Sequence, residues 1–240
     1  MKKRVLSITL TLAIALSCFV GMTVPANAAG TMADLFDFPN TNGCSKGDFC
    51  PMYDFTDMDL DAWYHDGVHF CLGTGLMNGM PDNLFAPNEM TTRAQILSVL
   101  WGLEGAPLVP VAEAFNDVFD GDWYDYAIRW ATAYNVAEGY GDGYFGPNDA
   151  ITREQIITIL WRYTKLKGVD VSVGEDTNIL SYEDIADVAE YAIPAMQWAC
   201  GSGVIQGIAQ NNTMYLAPQS NAVRSQSAAM IYRFCTEIMK

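Results

Sequence analysis

Three arginines hold the same place in three similar stretches: Thr92-Arg93-Ala94-Gln95, Thr152-Arg153-Glu154-Gln155 and Val223-Arg224-Ser225-Gln226. In the first two, the Thr-x-x-Gln spacing is a capping box. The hydroxyl takes the amide three residues on and the glutamine returns to the cap amide, so a helix starts there. The arginine then stands at the first helical position, where the helix dipole disfavours a cation by roughly a few tenths of a kcal/mol or more. Helix stability does not ask for it. Free amides and a guanidinium at one helix start make a receptor for a carboxylate or another small anion. An internal salt bridge to a nearby aspartate explains the same arginine equally well.

The elements that position these residues recur with them. Phe55-x-Asp57, Trp63-Tyr64, Gly79, Phe85, Pro87-Asn88, Arg93 and Trp101 match Phe115-x-Asp117, Trp123-Tyr124, Gly139, Phe145, Pro147-Asn148, Arg153 and Trp161 at a constant shift of 60 without gaps. That is the mark of duplication. A third, drifted copy runs from Tyr182-x-Asp184 through Trp198-Ala199 and Gly207 to Pro218 and Arg224; Tyr191 replaces the Trp, Ala192 the Tyr, and Val223 the capping Thr. Losing that cap costs about 1 kcal/mol. Ala127, Ile128, Trp130, Ala131 and Tyr134 have the spacing of an amphipathic helix. Gly139 and the Gly141-Asp142-Gly143 turn are expected to end it, and Ile156, Ile157, Ile159, Leu160 and Tyr163 line a second helix. Each repeat therefore reads as helix, glycine-rich turn, helix.

The predicted divisions are a signal peptide over 1–28, a loosely ordered leader over 29–54, and repeats over 55–105, 115–166 and 181–239. Linkers fall at Glu104 to Glu113 and at Lys167 to Leu180. The signal peptide rests on Lys2, Lys3 and Arg4, an apolar run from Val5 to Val20, and Ala26-Asn27-Ala28 before Ala29. No later segment is apolar enough to span a membrane, so we expect a secreted protein with no membrane insertion in the mature form. The chain carries 13 Lys+Arg against 28 Asp+Glu; without the three basic residues of the signal, 10 against 28 remain, a net −18. Nucleic acid is excluded as a partner, and an anionic ligand must be caught by local arginines against the overall field.

The combined pattern of Phe-x-Asp, Trp-Tyr, Gly-Asp-Gly-x-Phe-x-Pro-Asn and Ile-Thr-Arg-Glu-Gln resembles the S-layer homology (SLH) domain, whose helix start usually reads Thr-Arg-Ala-Glu. Three copies would cover nearly all of the mature chain. The resemblance implies a mainly α fold in which three pseudo-symmetric helix-turn-helix repeats form a three-pronged spindle, an intramolecular pseudo-trimer. It also implies non-covalent binding of secondary cell-wall polymer, often through a pyruvylated amino sugar, in grooves between repeats. Arg93, Arg153 and Arg224 match the family's ligand-contacting arginine. Trp63, Trp123 and Tyr191 could stack on sugar faces, although aromatics at helical spacing also serve as core. Asp57, Asp117 and Asp184 could orient the arginines or accept sugar hydroxyls, and a structural role capping the start of the first helix fits as well. Repeats one and three depart from Gly-Asp-Gly, with Gly79-Met80-Pro81-Asp82-Asn83 and Ile208-Ala209-Gln210-Asn211-Asn212-Thr213. The groove containing Arg153 is therefore expected to be the best and that containing Arg224 the weakest. Gln in place of the usual Glu is expected to make each helix start more receptive to an anion.

Other chemistry finds less support. His65-Asp66-Gly67-Val68-His69 is similar to a metalloprotease helix with Asp where Glu would stand. The equivalent positions of repeat two are Asp125 and Arg129, which reads as an ordinary exposed face, and no metal or cofactor is expected. Cys44 and Cys50 could close a small disulfide loop in an exported protein; no four-ligand zinc pattern is evident among the five mature cysteines. There is no Gly-x-Ser-x-Gly elbow, no P-loop and no room for a catalytic domain outside the repeats, so no enzyme is expected. The expectation is a stand-alone wall-binding module at the bacterial surface whose partner is cell-wall polysaccharide. The competing expectation is a surface protein that binds other envelope proteins or self-assembles.

Overall fold

The computed structural model describes Cys44, residues 50–111 and residues 115–239. The expected signal peptide and most of the leader lie outside the described residues. Among the described residues the fold is mainly α, with six α-helices in three pairs: α1 (His65–Gly73) with α2 (Arg93–Leu103), α3 (Asp125–Ala133) with α4 (Arg153–Leu166), and α5 (Ile193–Gly201) with α6 (Arg224–Arg233).

Caps and left-handed residues set the helix bounds. The Thr92 and Thr152 hydroxyls each accept from the amide three residues on at 3.3 Å, and Gln95 and Gln155 accept from the cap amides at 2.9 and 3.1 Å. Both capping boxes are therefore formed. Before α6, Val223 has no hydroxyl, and only the return bond from its amide to Gln226 Oε1 remains, at 3.3 Å. The first helix of each pair stops just before a residue of positive φ: Gly75 (73°), Asn135 (57°) and Gly203 (78°). This corrects the expected stop at Gly139. The chain needs that glycine for space, because a Cβ there would overlap the ring of Phe115; Gly79 against Phe55 and Gly207 against Tyr182 are alike.

Each turn is a short hairpin. In the third pair it is a two-stranded antiparallel ribbon, β1 (Ile208–Gln210) and β2 (Thr213–Tyr215), with Ile208 opposite Tyr215. Asn211 and Asn212 supply the two positive φ values, 50° and 63°, that such a two-residue turn requires. Met80 pairs with Leu84, and the Tyr140 amide donates to the Tyr144 carbonyl at 2.9 Å, in the same places of the other turns.

The pairs do not pack on themselves. α3 packs on α2, α5 on α4, and α1 on α6, so each first helix leans on the second helix of the preceding pair and the series closes. At the closure, a Cβ on Gly67 of α1 would lie 2.8 Å from the backbone of Ala229 in α6. Three buried residues mark the centre of this circuit. The Thr91 amide donates to Ala222, Ala222 to Ile151, and Ile151 back to Thr91, each at 2.9 Å. One core joins all three pairs through Leu97, Ile128, Ile157, Trp198 and Ile231, with Tyr163 in ring contact with both Trp130 (6.1 Å) and Phe234 (5.9 Å). The expected linker over 167–180 is packed: its 3₁₀ turn Ser172–Gly174 lies on α5, with Gly174 against the Trp198 backbone. Among the described residues no helix is long and apolar enough to cross a membrane.

Candidate functional site

At each second helix the first amides are already taken. The Arg93 and Ala94 amides donate to the carbonyls of Asp149 and Pro147, Arg153 and Glu154 to Ser220 and Pro218, and Arg224 and Ser225 to Glu89 and Pro87, at 2.9–3.1 Å. The third amide of α2 and of α4 goes to its cap hydroxyl. The expected receptor of free helix-start amides is therefore not there, because the loop of another pair fills it with carbonyl oxygens. The effect expected of Gln in place of Glu has no open amides to act through.

The three arginines share one arrangement. Each is 5% exposed, and each reaches the turn of another pair with two nitrogens. Nε donates to the carbonyls of Phe145, Leu216 and Phe85 at 3.1, 2.9 and 2.8 Å from Arg93, Arg153 and Arg224 respectively. Nη2 donates to Glu138, Gln206 and Asn78 at 2.8, 3.1 and 2.7 Å. Among the described residues none of the three guanidiniums forms an ion pair with a carboxylate, so the alternative reading, an internal salt bridge to a nearby aspartate, finds no direct pair there. Burial depresses all three below the usual arginine value, since removal from water penalises the charged form. Among the described residues no hydrogen bond engages the third nitrogen, Nη1, of any of the three.

Asp57, Asp117 and Asp184 serve the same turns. Their carboxylates fork onto consecutive amides: Phe85 and Ala86 (2.8 and 2.7 Å), Phe145 and Gly146 (2.8 and 2.7 Å), Leu216 and Ala217 (2.8 and 2.6 Å). The second residue of each pair has positive φ, 57°, 71° and 51°. The aspartates thus hold the approach to the second helix, rather than the start of the first. They meet the arginines through a shared peptide, whose N–H goes to the carboxylate and whose C=O goes to the guanidinium.

Because each arginine reaches into the turn of another pair, the intact Gly-Asp-Gly turn faces Arg93. Arg153 faces the β1–β2 ribbon instead, which reverses the expectation that the Arg153 groove is best furnished. Beside Arg93 the Tyr140 ring lies 4.8 Å from the guanidinium carbon and its hydroxyl donates to Asp149 at 2.9 Å. Met80 and Ile208 stand at the corresponding places in the turns that Arg224 and Arg153 reach. The proposed stacking residues are surface residues: Trp63 is 65% exposed, Tyr191 52% and Trp123 40%. Tyr191 is also anchored. Its hydroxyl donates to Glu154 at 2.9 Å, a buried carboxylate that accepts as well from Gln219 and the Ala189 amide, and burial together with that bond raises its pKa well above the ordinary phenol value. Glu154 and Tyr140 were missed from sequence; the available signal was a charged residue at Glu154 where the other two helix starts have Ala94 and Ser225. A depression of about 420 Å³ lined by Thr177, Leu180, Ile193 and Gln197 contains none of the predicted site residues.

One group outside the grooves corrects the expectation for α1. His65 and His69 are 7% and 9% exposed, and they converge with Cys44 and Cys50. They do not form an ordinary exposed face.

Comparison with known proteins accounts for the repeated pattern. Residues 54–97 and 114–157 match the model of the S-layer homology domain. An amylopullulanase of Thermoanaerobacterium thermosulfurigenes is 30% identical over 75% of this chain and 9% of its own length. Cell surface glycoprotein 1 of Acetivibrio thermocellus is 30% identical over 65% of the chain and 7% of itself. A cellulosome-anchoring protein of the same organism is 28% identical over 70% of the chain and 38% of itself. The chain thus spans well under half the length of these relatives, and it meets the enzyme among them through a small part of that enzyme. Two segments of this chain, 54–97 and 114–157, are thus similar to the S-layer homology domain, and the chain's relatives include a cell surface glycoprotein and a cellulosome-anchoring protein.

Proposed function

We propose that this protein attaches non-covalently to the bacterial cell wall by binding secondary cell-wall polymer, through an acidic sugar such as a pyruvylated amino sugar, in the grooves headed by Arg93, Arg153 and Arg224. In this reading residues 181–239 are a third, divergent copy, the three copies form a three-pronged spindle, and the protein is exported and held at the wall. The carrying observation is the arginine itself. A guanidinium 5% exposed, satisfied at two nitrogens by carbonyls and, among the described residues, in direct ion pair with no carboxylate, keeps its third nitrogen unengaged. A ligand carboxylate at Nη1 would supply a direct ion-pair partner, with charge-assisted bonds worth about 1.5–3 kcal/mol. The Arg93 groove is the best furnished, since Tyr140 offers an aromatic face beside the charge.

Co-sedimentation of the protein with bacterial walls, before and after chemical extraction of secondary polymer, tests the reading. Truncating a buried arginine would confound binding with folding, so the informative variant is Tyr140→Ala, at a residue 50% exposed. Binding should require the polymer and weaken about tenfold in Tyr140→Ala, the equivalent of about 1.4 kcal/mol, while Ile208→Ala binds normally. Retention on extracted walls equal to that on intact walls would instead favour association with envelope proteins or self-assembly.

A further inference from the structure

Cys44, Cys50, His65 and His69 each offer one ligand atom, and the four atoms lie within 4.8 Å of one another. The sulfur of Cys50 is 3.6 Å from Nε2 of His65 and 3.5 Å from Nδ1 of His69. In a tetrahedral zinc site, with Zn–S of about 2.3 Å and Zn–N of about 2.0–2.1 Å, the S···N edge is about 3.6 Å. Both edges already have the length a metal would impose. Thiol hydrogen bonding explains them less well, because one S–H serves one imidazole and the other ring would have to donate to a weak sulfur acceptor.

The surroundings fit the same occupant. Nδ1 of His65 lies 3.0 Å from Asp66 Oδ1, the carboxylate–histidine arrangement that fixes a ligating imidazole and leaves Nε2 aimed at the metal. Cys50, His65 and His69 are at most 9% exposed. Helical spacing of four places both histidines on one face of α1, and the 3₁₀ turn Pro51–Asp54, which packs on α1, delivers Cys50 to them.

We infer that these four residues bind one zinc ion as a structural site. Two thiolates and two imidazoles complete the tetrahedron, so no position is left open for water or substrate, and the site is a clamp and not a catalytic centre. The metal fastens the segment carrying Cys44 to the first helix of the first repeat. The site shares no residue with the arginine grooves and stands or falls independently of wall binding.

The test uses the full chain, prepared with zinc and dialysed, with metal content measured for the unaltered protein and for Cys50→Ser and His69→Ala. About one zinc per chain is expected, falling below about 0.1 in each variant, with chelation lowering the melting temperature of the unaltered chain only. Replacement by cobalt should give intense tetrahedral d–d bands and a thiolate-to-cobalt charge-transfer band. That spectrum is read on the unaltered chain and does not depend on a variant folding. A faint octahedral cobalt spectrum, zinc retained in Cys50→Ser, or a Cys44–Cys50 disulfide in protein exported in the presence of zinc would each overturn the inference.

Discussion

The peptide joining Phe145 to Gly146 is gripped from both sides, its N–H by Asp117 at 2.7 Å and its C=O by Arg93 at 3.1 Å. Opposite charges on one polarised peptide reinforce each other in a low-dielectric setting. Asp117→Ala should therefore cost about 2–4 kcal/mol, for the two amides it strips of their acceptor. Paired with Arg93→Lys, the losses should fall short of their sum by about 1 kcal/mol, because either change already loosens the shared peptide. Urea unfolding of the four proteins measures this coupling, and simple additivity would reject the peptide-bridged link. The residues of this device were legible in the sequence, since the spacing of Phe-x-Asp and Thr-Arg marks them. Their targets were not. The carbonyls that Arg93 engages lie 45 and 52 residues away in another helix pair, and backbone acceptors leave no signature in side-chain type.

Among the second helices, α6 is the one whose start lacks a side-chain cap, and Val223 already holds the backbone angles of a cap, φ −84° and ψ 161°, against −80° and 160° at Thr152. Val223→Thr should supply the missing acceptor to the Gln226 amide and stabilise the fold by about 1 kcal/mol, read as a raised urea midpoint with unchanged slope. The junction of α2 and α4 gives a pH-dependent counterpart. Tyr163 is fully buried and donates to Glu104 at 2.7 Å, which Lys167 also contacts at 2.9 Å; burial first, then that hydrogen bond, lift the phenol far above its usual range. A folded pKa above the unfolded value of about 10 gives stability that is complete below pH 10 and lost as pH rises beyond it. Stability should fall above about pH 10, less steeply in Tyr163→Phe, and ultraviolet titration should show one fewer tyrosine held back until unfolding in that variant than in the unaltered chain. The capping boxes and apolar faces of these helices were legible, because both are local. The glycines were misread for a physical reason: Gly139 resembles a helix stop, yet what it prevents is overlap with Phe115, a contact 24 residues away, while the residue that does close α3 is Asn135.

At the scale of the molecule, the circuit of helix contacts decides what can fold alone. Every first helix rests on the second helix of another pair, and α1 finds its helix partner in α6, more than 150 residues along the chain. Local pattern recognition sees each pair as a unit and cannot see this exchange. The convergence of Cys44 and Cys50 on α1 escaped for the same reason, its Cys-x5-Cys spacing being one residue wider than familiar zinc motifs allow. The exchange predicts one cooperative unit instead of three independent repeats. The full chain should unfold in a single calorimetric transition whose measured and van't Hoff enthalpies agree. A chain ending at Leu180 keeps two whole matched segments but removes α5 from α4 and α6 from α1, exposing the backbone approach at Gly67 and leaving Arg153 without Leu216 and Gln206. It should show no cooperative transition. A fragment that melted sharply would mean that a helix pair can close on itself, and the closed circuit would then be a consequence of folding and not its condition.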